Sequence, residues 1–152
     1  MTTFQTTKNN SVAAQAVFVL FALGTKRFAL PAEIVTELAQ LDRVHGFPHT
    51  TPLLTGVLLR RGRIVPVCDV AIVLIGAGGP VRRFYLIAEC GPAGDVMEWV
   101  ALPVNGECEL CQALMVPPAG ALPHYVKGLL SLPEEIVEVL DLEQLISTEM
   151  RA

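Results

Sequence analysis

Apolar residues along this chain fall into short runs, not helical stripes. Residues 17–23 (VFVLFAL) form an unbroken apolar run that meets Gly24-Thr25-Lys26 and resumes at 27–30, which predicts a buried strand, a turn and a returning strand. Pro31 ends that hairpin because it has no N–H to give to a ladder. Residues 84–90 and 96–104 predict a second hairpin around a loop holding Gly91, Pro92 and Gly94. Strands are expected at 56–60 and 63–68, joined by a tight turn at Arg61-Gly62, with Pro66 favouring an edge strand. Two more are expected at 122–132 and 136–140. The segment 34–41 (IVTELAQL) reads both ways: Val35, Glu37 and Ala39 alternate with their neighbours as in a strand, while Glu, Leu, Ala and Gln suit a helix. Asp69 is placed to cap a short helical stretch at 70–75, and Asp141, with Gln144 three positions on, to cap a helix beginning at Leu142.

One pattern occurs twice. Residues 56–74 (GVLLRRGRIVPVCDVAIVL) and 128–146 (GLLSLPEEIVEVLDLEQLI) align at an offset of 72, which superposes Gly56 on Gly128, Val67 on Val139 and Asp69 on Asp141. The same offset carries Ala29-Leu30-Pro31 onto Ala101-Leu102-Pro103. A fixed-offset repeat means one unit built twice. The expected organisation is a loose N-terminal tail over 1–16, a single mainly β domain over 17–146 with halves at 17–80 and 81–146, and a C-terminal tail over 147–152.

Composition narrows the function. The chain has 152 residues, enough for a core without metal or disulfide support, and a net charge of −4 that argues against nucleic acid as its ligand. Its mean hydropathy of +0.51 is high, so either the interior is large or apolar surface meets a partner. No apolar run approaches the roughly 20 residues needed to span a bilayer, and the run at 17–23 has a counterpart inside the chain at 84–89, so it is read as a core strand. A cytoplasmic protein with reduced thiols, with no direct insertion into a membrane, is the expectation.

The hairpin at 17–31, the block at 56–70 and the closing segment at 125–146 together resemble the CheW-like chemotaxis coupling proteins, in order and spacing, over nearly the whole chain. That resemblance implies two intertwined, SH3-like, five-stranded β-barrels. It further implies a non-enzymatic adaptor without cofactor or metal, monomeric when free, that binds the cytoplasmic tip of chemoreceptors and the regulatory domain of a CheA-type histidine kinase. The family's V-x-E segment matches Val35-Thr36-Glu37, and its G-x-x-N-x-R-G turn matches 56–62 with Arg61 and Gly62 kept. The resemblance therefore implies partner contacts at Val35, Glu37, Arg61 and Gly62. Leu59 and Arg60 stand where Asn followed by Leu is usual, so a changed partner would register in the first copy. Of the clustered arginines, Arg61 is the expected contact, and Arg60 and Arg63 are expected to face solvent.

Two other readings use different residues. Cys108 and Cys111 form a C-x-x-C that would serve a metal-binding or redox protein, with Cys68, Cys90 or His124 as further ligands, but no second pair occurs at matching spacing. An interaction module of the same fold in a pilus or surface-signalling pathway is the other. His45, His49 and His124 lie beside prolines in expected loops, and no Ser or Cys sits in a nucleophile-elbow context, so no catalytic residue is assigned.

Overall fold

A computed structural model describes residues 15–40, 44–46, 51–76, 84–91, 98–106, 108–118 and 120–151. Its strands are β1 (Gln15–Leu23), β2 (Lys26–Pro31), β3 (Val35–Gln40), β4 (Leu54–Arg60), β5 (Arg63–Cys68), β6 (Phe84–Cys90), β7 (Glu98–Val104), β8 (Glu109–Val116), β9 (Val126–Leu132) and β10 (Glu135–Leu140). A 3-10 turn, Ala32–Ile34, precedes β3, and the helices are α1 (Ala71–Leu74) and α2 (Leu142–Arg151). The ambiguous segment is thus a strand entered through a single turn. β1 begins two residues inside the expected N-terminal tail, whose first 14 residues lie outside the described residues. α2 runs on through the expected C-terminal tail to Arg151.

Five strands close a barrel in the order β1-β2-β10-β9-β8, and the other five form a sheet in the order β3-β6-β7-β5-β4. Two five-stranded, intertwined units are present as expected, but they are not the sequence halves 17–80 and 81–146. Each takes its hairpin from one half and its other three strands from the other. The hairpin β1–β2 joins β8, β9 and β10, and the hairpin β6–β7 joins β3, β4 and β5. The parallel contacts that seal the exchange are Val139 with Ala29 and Val67 with Ala101. These are the same pair displaced by 72 residues, so the two units are related by an approximate two-fold.

The exchange explains the apolar runs. Phe18, Leu20 and Ala29 fill the barrel, while Val19, Phe21, Phe28 and Leu30 point the other way into a shared central core. Tyr85, Ile87 and Ala101 fill the second unit, while Leu86, Val100 and Leu102 join the same central core. The two hairpins are therefore buried on both faces, which requires continuous apolar sequence in place of alternation. Leu142 and Leu145 of α2 cover one side of that core. Much of the high hydropathy belongs to this double burial.

The repeated residues hold backbone geometry. A Cβ on Gly56 would lie 2.6 Å from Val44 Cγ1 and 2.7 Å from the His45 carbonyl oxygen, and one on Gly128 would run into the Met115 side chain and lie 2.9 Å from the Val116 carbonyl oxygen. Gly56 lets the segment at Val44-His45 pass close by, and Gly128 does the same for the end of β8. The register also shifts beside both, between Leu54 and Gly56 and opposite Val139 and Leu140. The amides of Asp69 and Asp141 donate to the carbonyls of Leu53 and Tyr125, each at 2.7 Å.

The copies differ at two points. β8 pairs with β9 through Met115–Leu130 and Val116–Leu129. Among the described residues, β3 and β4 are not paired, and their unit is drawn together by two hydrogen bonds between His45 and Val57. The caps differ too. Asp141 Oδ1 accepts the Gln144 N–H at 3.1 Å, whereas the N-cap of α1 is Val70, one residue later than the expected Asp69. Asp141→Ala is expected to cost about 1 kcal/mol, measurable as a lower urea midpoint at unchanged slope. Pro66 is likewise not on an edge strand. It is tolerated inside the sheet because β5 meets β7 only at Val67.

Candidate functional site

β3 and β8 come from equivalent positions of the repeat and face each other where the two units meet. Thr36, Glu37 and Leu38 line one wall of a cavity of about 260 Å³ and Cys108, Glu109 and Leu110 line the other, with Val35 and Val19 deeper in. The walls correspond residue for residue at the 72-residue offset, so the groove lies across the approximate two-fold. A bulge between Val35 and Glu37 sets its first wall. There the Thr36 hydroxyl donates to the Ile87 carbonyl at 3.0 Å, and the bulge re-aims the side chains on either side.

Each wall carries a carboxylate held by arginine. Arg60 donates to Glu37 Oε2 through Nε at 3.1 Å and Nη2 at 2.5 Å, and Arg61 donates to Oε1 through Nε at 3.1 Å. Glu37 is largely covered, its side chain 15% exposed, while that of Arg61 is 67% exposed. Across the groove Glu109 is bound by Arg27, which also pairs with Glu135. The groove is thus an apolar slot with a neutralised carboxylate on each side.

Arg61 and Gly62 are the two central residues of the β4–β5 turn, with φ of 53° and 76°. A two-residue hairpin loop of this type needs positive φ at both. Glycine meets that demand freely, whereas an L-residue such as Arg61 pays about 1 kcal/mol for it. Beside the turn, Leu59 and Ile64 face each other across the strands, 62% and 70% exposed. Arg63 lies over the Trp99 ring at 4.3 Å. The structure therefore brings Val35, Glu37, Arg61 and Gly62 into one region; of their neighbours, Arg63 is exposed as expected, while Arg60 is half-buried and bound to Glu37.

Arg60 beside Glu37 holds its carboxyl below the usual range, opposed by burial and aided by Arg61. A carboxylate whose folded pKa is lowered stabilises the fold fully above its unfolded value of about 4.3, and that contribution disappears as pH falls through the folded value. Unfolding curves of the parent protein and Glu37→Gln are expected to differ at neutral pH and to converge as the solution is taken below about pH 4.

The two cysteines of the C-x-x-C motif point apart. An odd spacing on extended chain sends the two side chains to opposite faces. Cys108 accordingly packs on the central core and Cys111 on the barrel interior. Burial pushes the Cys108 thiol up to about 11 and the Cys68 thiol up to about 12, which disfavours their free thiolate forms at neutral pH. Among the described residues no three His, Cys, Asp or Glu side chains are grouped to hold a metal. His49 lies outside the described residues.

The family model for the CheW-like domain matches residues 17–150. The chain belongs to the CheW-like domain family. It is 24% identical over 139 residues to the chemotaxis protein CheW of Klebsiella aerogenes, covering 89% of this chain and 84% of that protein. Its fold matches the crystal structure of the scaffolding protein TtCheW from Thermoanaerobacter tengcongensis with a TM-score of 0.73 at 20% identity, over 86% of each chain. Members of the family are non-enzymatic adaptors that link chemoreceptors to a CheA-type kinase, and membership assigns that role to this chain. Val35 and Glu37, partner contacts implied by the family resemblance, lie on one wall of the groove. Glu109 and Leu110 of the other wall, and Arg27 that binds Glu109, carry no such motif, although the offset that aligns the repeat also places Glu37-Leu38 on Glu109-Leu110.

Proposed function

We propose that the chain binds the cytoplasmic tip of chemoreceptors and the regulatory domain of a CheA-type histidine kinase in the cytoplasm, at receptor arrays, through the groove and the adjoining β4–β5 turn. The observation that carries this reading is the apolar slot across the approximate two-fold, beside a turn that presents an exposed arginine and two exposed aliphatic side chains. Val35 lines the slot, Glu37 anchors the arginines, Arg61 offers donors to a partner carboxylate, and Gly62 permits the turn that carries it. Leu59 and Ile64 add an apolar surface that a partner would cover. The mechanism is geometric. The adaptor transmits a signal only if its contacts differ between the two states of the receptor, since equal binding to both shifts nothing.

No helix among the described residues is long and apolar enough to cross a membrane. Co-sedimentation with a receptor-tip fragment and with the kinase regulatory domain tests the reading. Retention of both in low and moderate salt is expected, and failure to retain either one in both conditions overturns it.

A further inference from the structure

The two units treat equivalent carboxylates differently. In one, Arg60 and Arg61 reach from the β4–β5 turn to Glu37. At the 72-residue offset their places in the barrel are taken by Leu132 and Pro133, neither of which has a side-chain donor. The β9–β10 turn therefore sends no guanidinium to Glu109, and a cavity of about 340 Å³ lies between the two. Leu20, Leu132 and Pro133 form its apolar lining, and its charged groups are Glu109, Glu134, Glu135 and Arg27. Arg27 donates to Glu109 Oε1 and Glu135 Oε2, so one cation opposes three carboxylates and two negative charges remain in excess. Glu134 is exposed and, among the described residues, makes no ion pair.

We propose that this cavity receives an arginine side chain of a partner protein, which meets Glu109 and Glu134 from outside as Arg60 and Arg61 meet Glu37 from within. The other unit is the template, because there the same place beside the equivalent carboxylate is filled by guanidinium groups. The charge excess favours a cation. The apolar lining suits the methylene stem of arginine, while its planar head pairs with carboxylates. Glu109 and Leu110 border both the groove and this cavity, and Leu110 is 72% exposed, so a partner seated on Leu110 has the cavity alongside. Which protein supplies the arginine rests on the functional reading above; the site and its ligand chemistry do not.

Two variants and a small probe test it, and neither substituted residue lines the groove. Glu134→Lys, at an exposed turn position, cancels the charge excess. Leu132→Arg places a guanidinium where Arg60 stands in the other unit and fills the cavity from within. Each is expected to weaken binding of a receptor-tip fragment or the kinase regulatory domain, whichever the parent protein binds, by about tenfold. Thermal melts check that the variants are folded, and Glu134→Lys carries the test if Leu132→Arg is not. The probe is N-acetylarginine amide, titrated into the full chain beside its neutral citrulline analogue and followed by amide chemical shifts. With a Kd of about 10 mM, the arginine probe is expected to shift the amides of Glu109, Leu110, Leu132 and Glu134 in the parent protein and to lose that effect in Glu134→Lys. Equal shifts from the two probes, or none from either, overturn the site. Undiminished partner binding in Glu134→Lys overturns the partner as occupant, and so does self-association of the parent chain that Glu134→Lys abolishes, which would put a second copy there. If the parent protein binds neither partner, the functional reading fails, and the probe alone decides the site.

Discussion

Arg61→Asn is expected to weaken binding to the partner at least tenfold, about 1.4 kcal/mol or more, while leaving the stability of the fold almost unchanged. Asn is the informative replacement because it tolerates positive φ, so the turn at φ 53° survives and only the guanidinium is lost. Loss of the pairing with Glu37 has a small effect on stability, because Arg60 still holds Oε2 and the Arg61 side chain is mostly in solvent. Titration calorimetry with a receptor-tip fragment and the kinase regulatory domain, beside thermal melts of both proteins, separates the two effects. Equal affinity of parent and variant for both partners would remove Arg61 from the interface.

Gly56→Ala is expected to have the largest effect on stability of any single methyl added to the repeat. The new Cβ would meet a branched carbon of Val44 at 2.6 Å and a main-chain oxygen of His45 at 2.7 Å. The oxygen belongs to a carbonyl that accepts the Val57 N–H at 3.0 Å, so it moves only by breaking a contact that draws this unit together. A cost of about 3 kcal/mol follows, or a fall in Tm of about 6–12 °C for a chain of this length. Gly128→Ala is expected to be milder, about 1–2 kcal/mol. Its first obstacle is the flexible Met115 side chain, which can swing aside. Thermal unfolding of both variants gives the ranking, and a smaller loss at Gly56 than at Gly128 would contradict it.

These glycines also show what the sequence makes legible. The repeat survives in Gly56 and Gly128, and in Asp69 and Asp141, because those positions serve backbone geometry that both units need, and few residues meet that need. The strand exchange leaves no such mark. β1–β2 and β6–β7 present equivalent edges, so pairing within a half and pairing across halves satisfy the same apolar pattern. The pairings that decide between them, β1 with β8, β3 with β6, β2 with β10 and β5 with β7, join residues far apart in the sequence. β8 is masked for a different reason: its ELCQALMV alternates along a strand with one face outward, but the spacing of Cys108 and Cys111 equally fits a C-x-x-C motif. The arginine clamps were illegible because they join residues 23, 24, 82 and 108 positions apart. What placed Glu37 and Arg61 in advance was the family resemblance, and what placed Arg60 was the geometry.

The central claim is that this chain couples a receptor to a kinase by holding both at once. Its most direct test is the autophosphorylation rate of a CheA-type kinase mixed with receptor fragments, measured with and without the protein. The account predicts that the rate responds to the receptor only when the protein is present, and that the response is lost with Arg61→Asn. A kinase that responds equally without the protein, or not at all with it, would contradict the account.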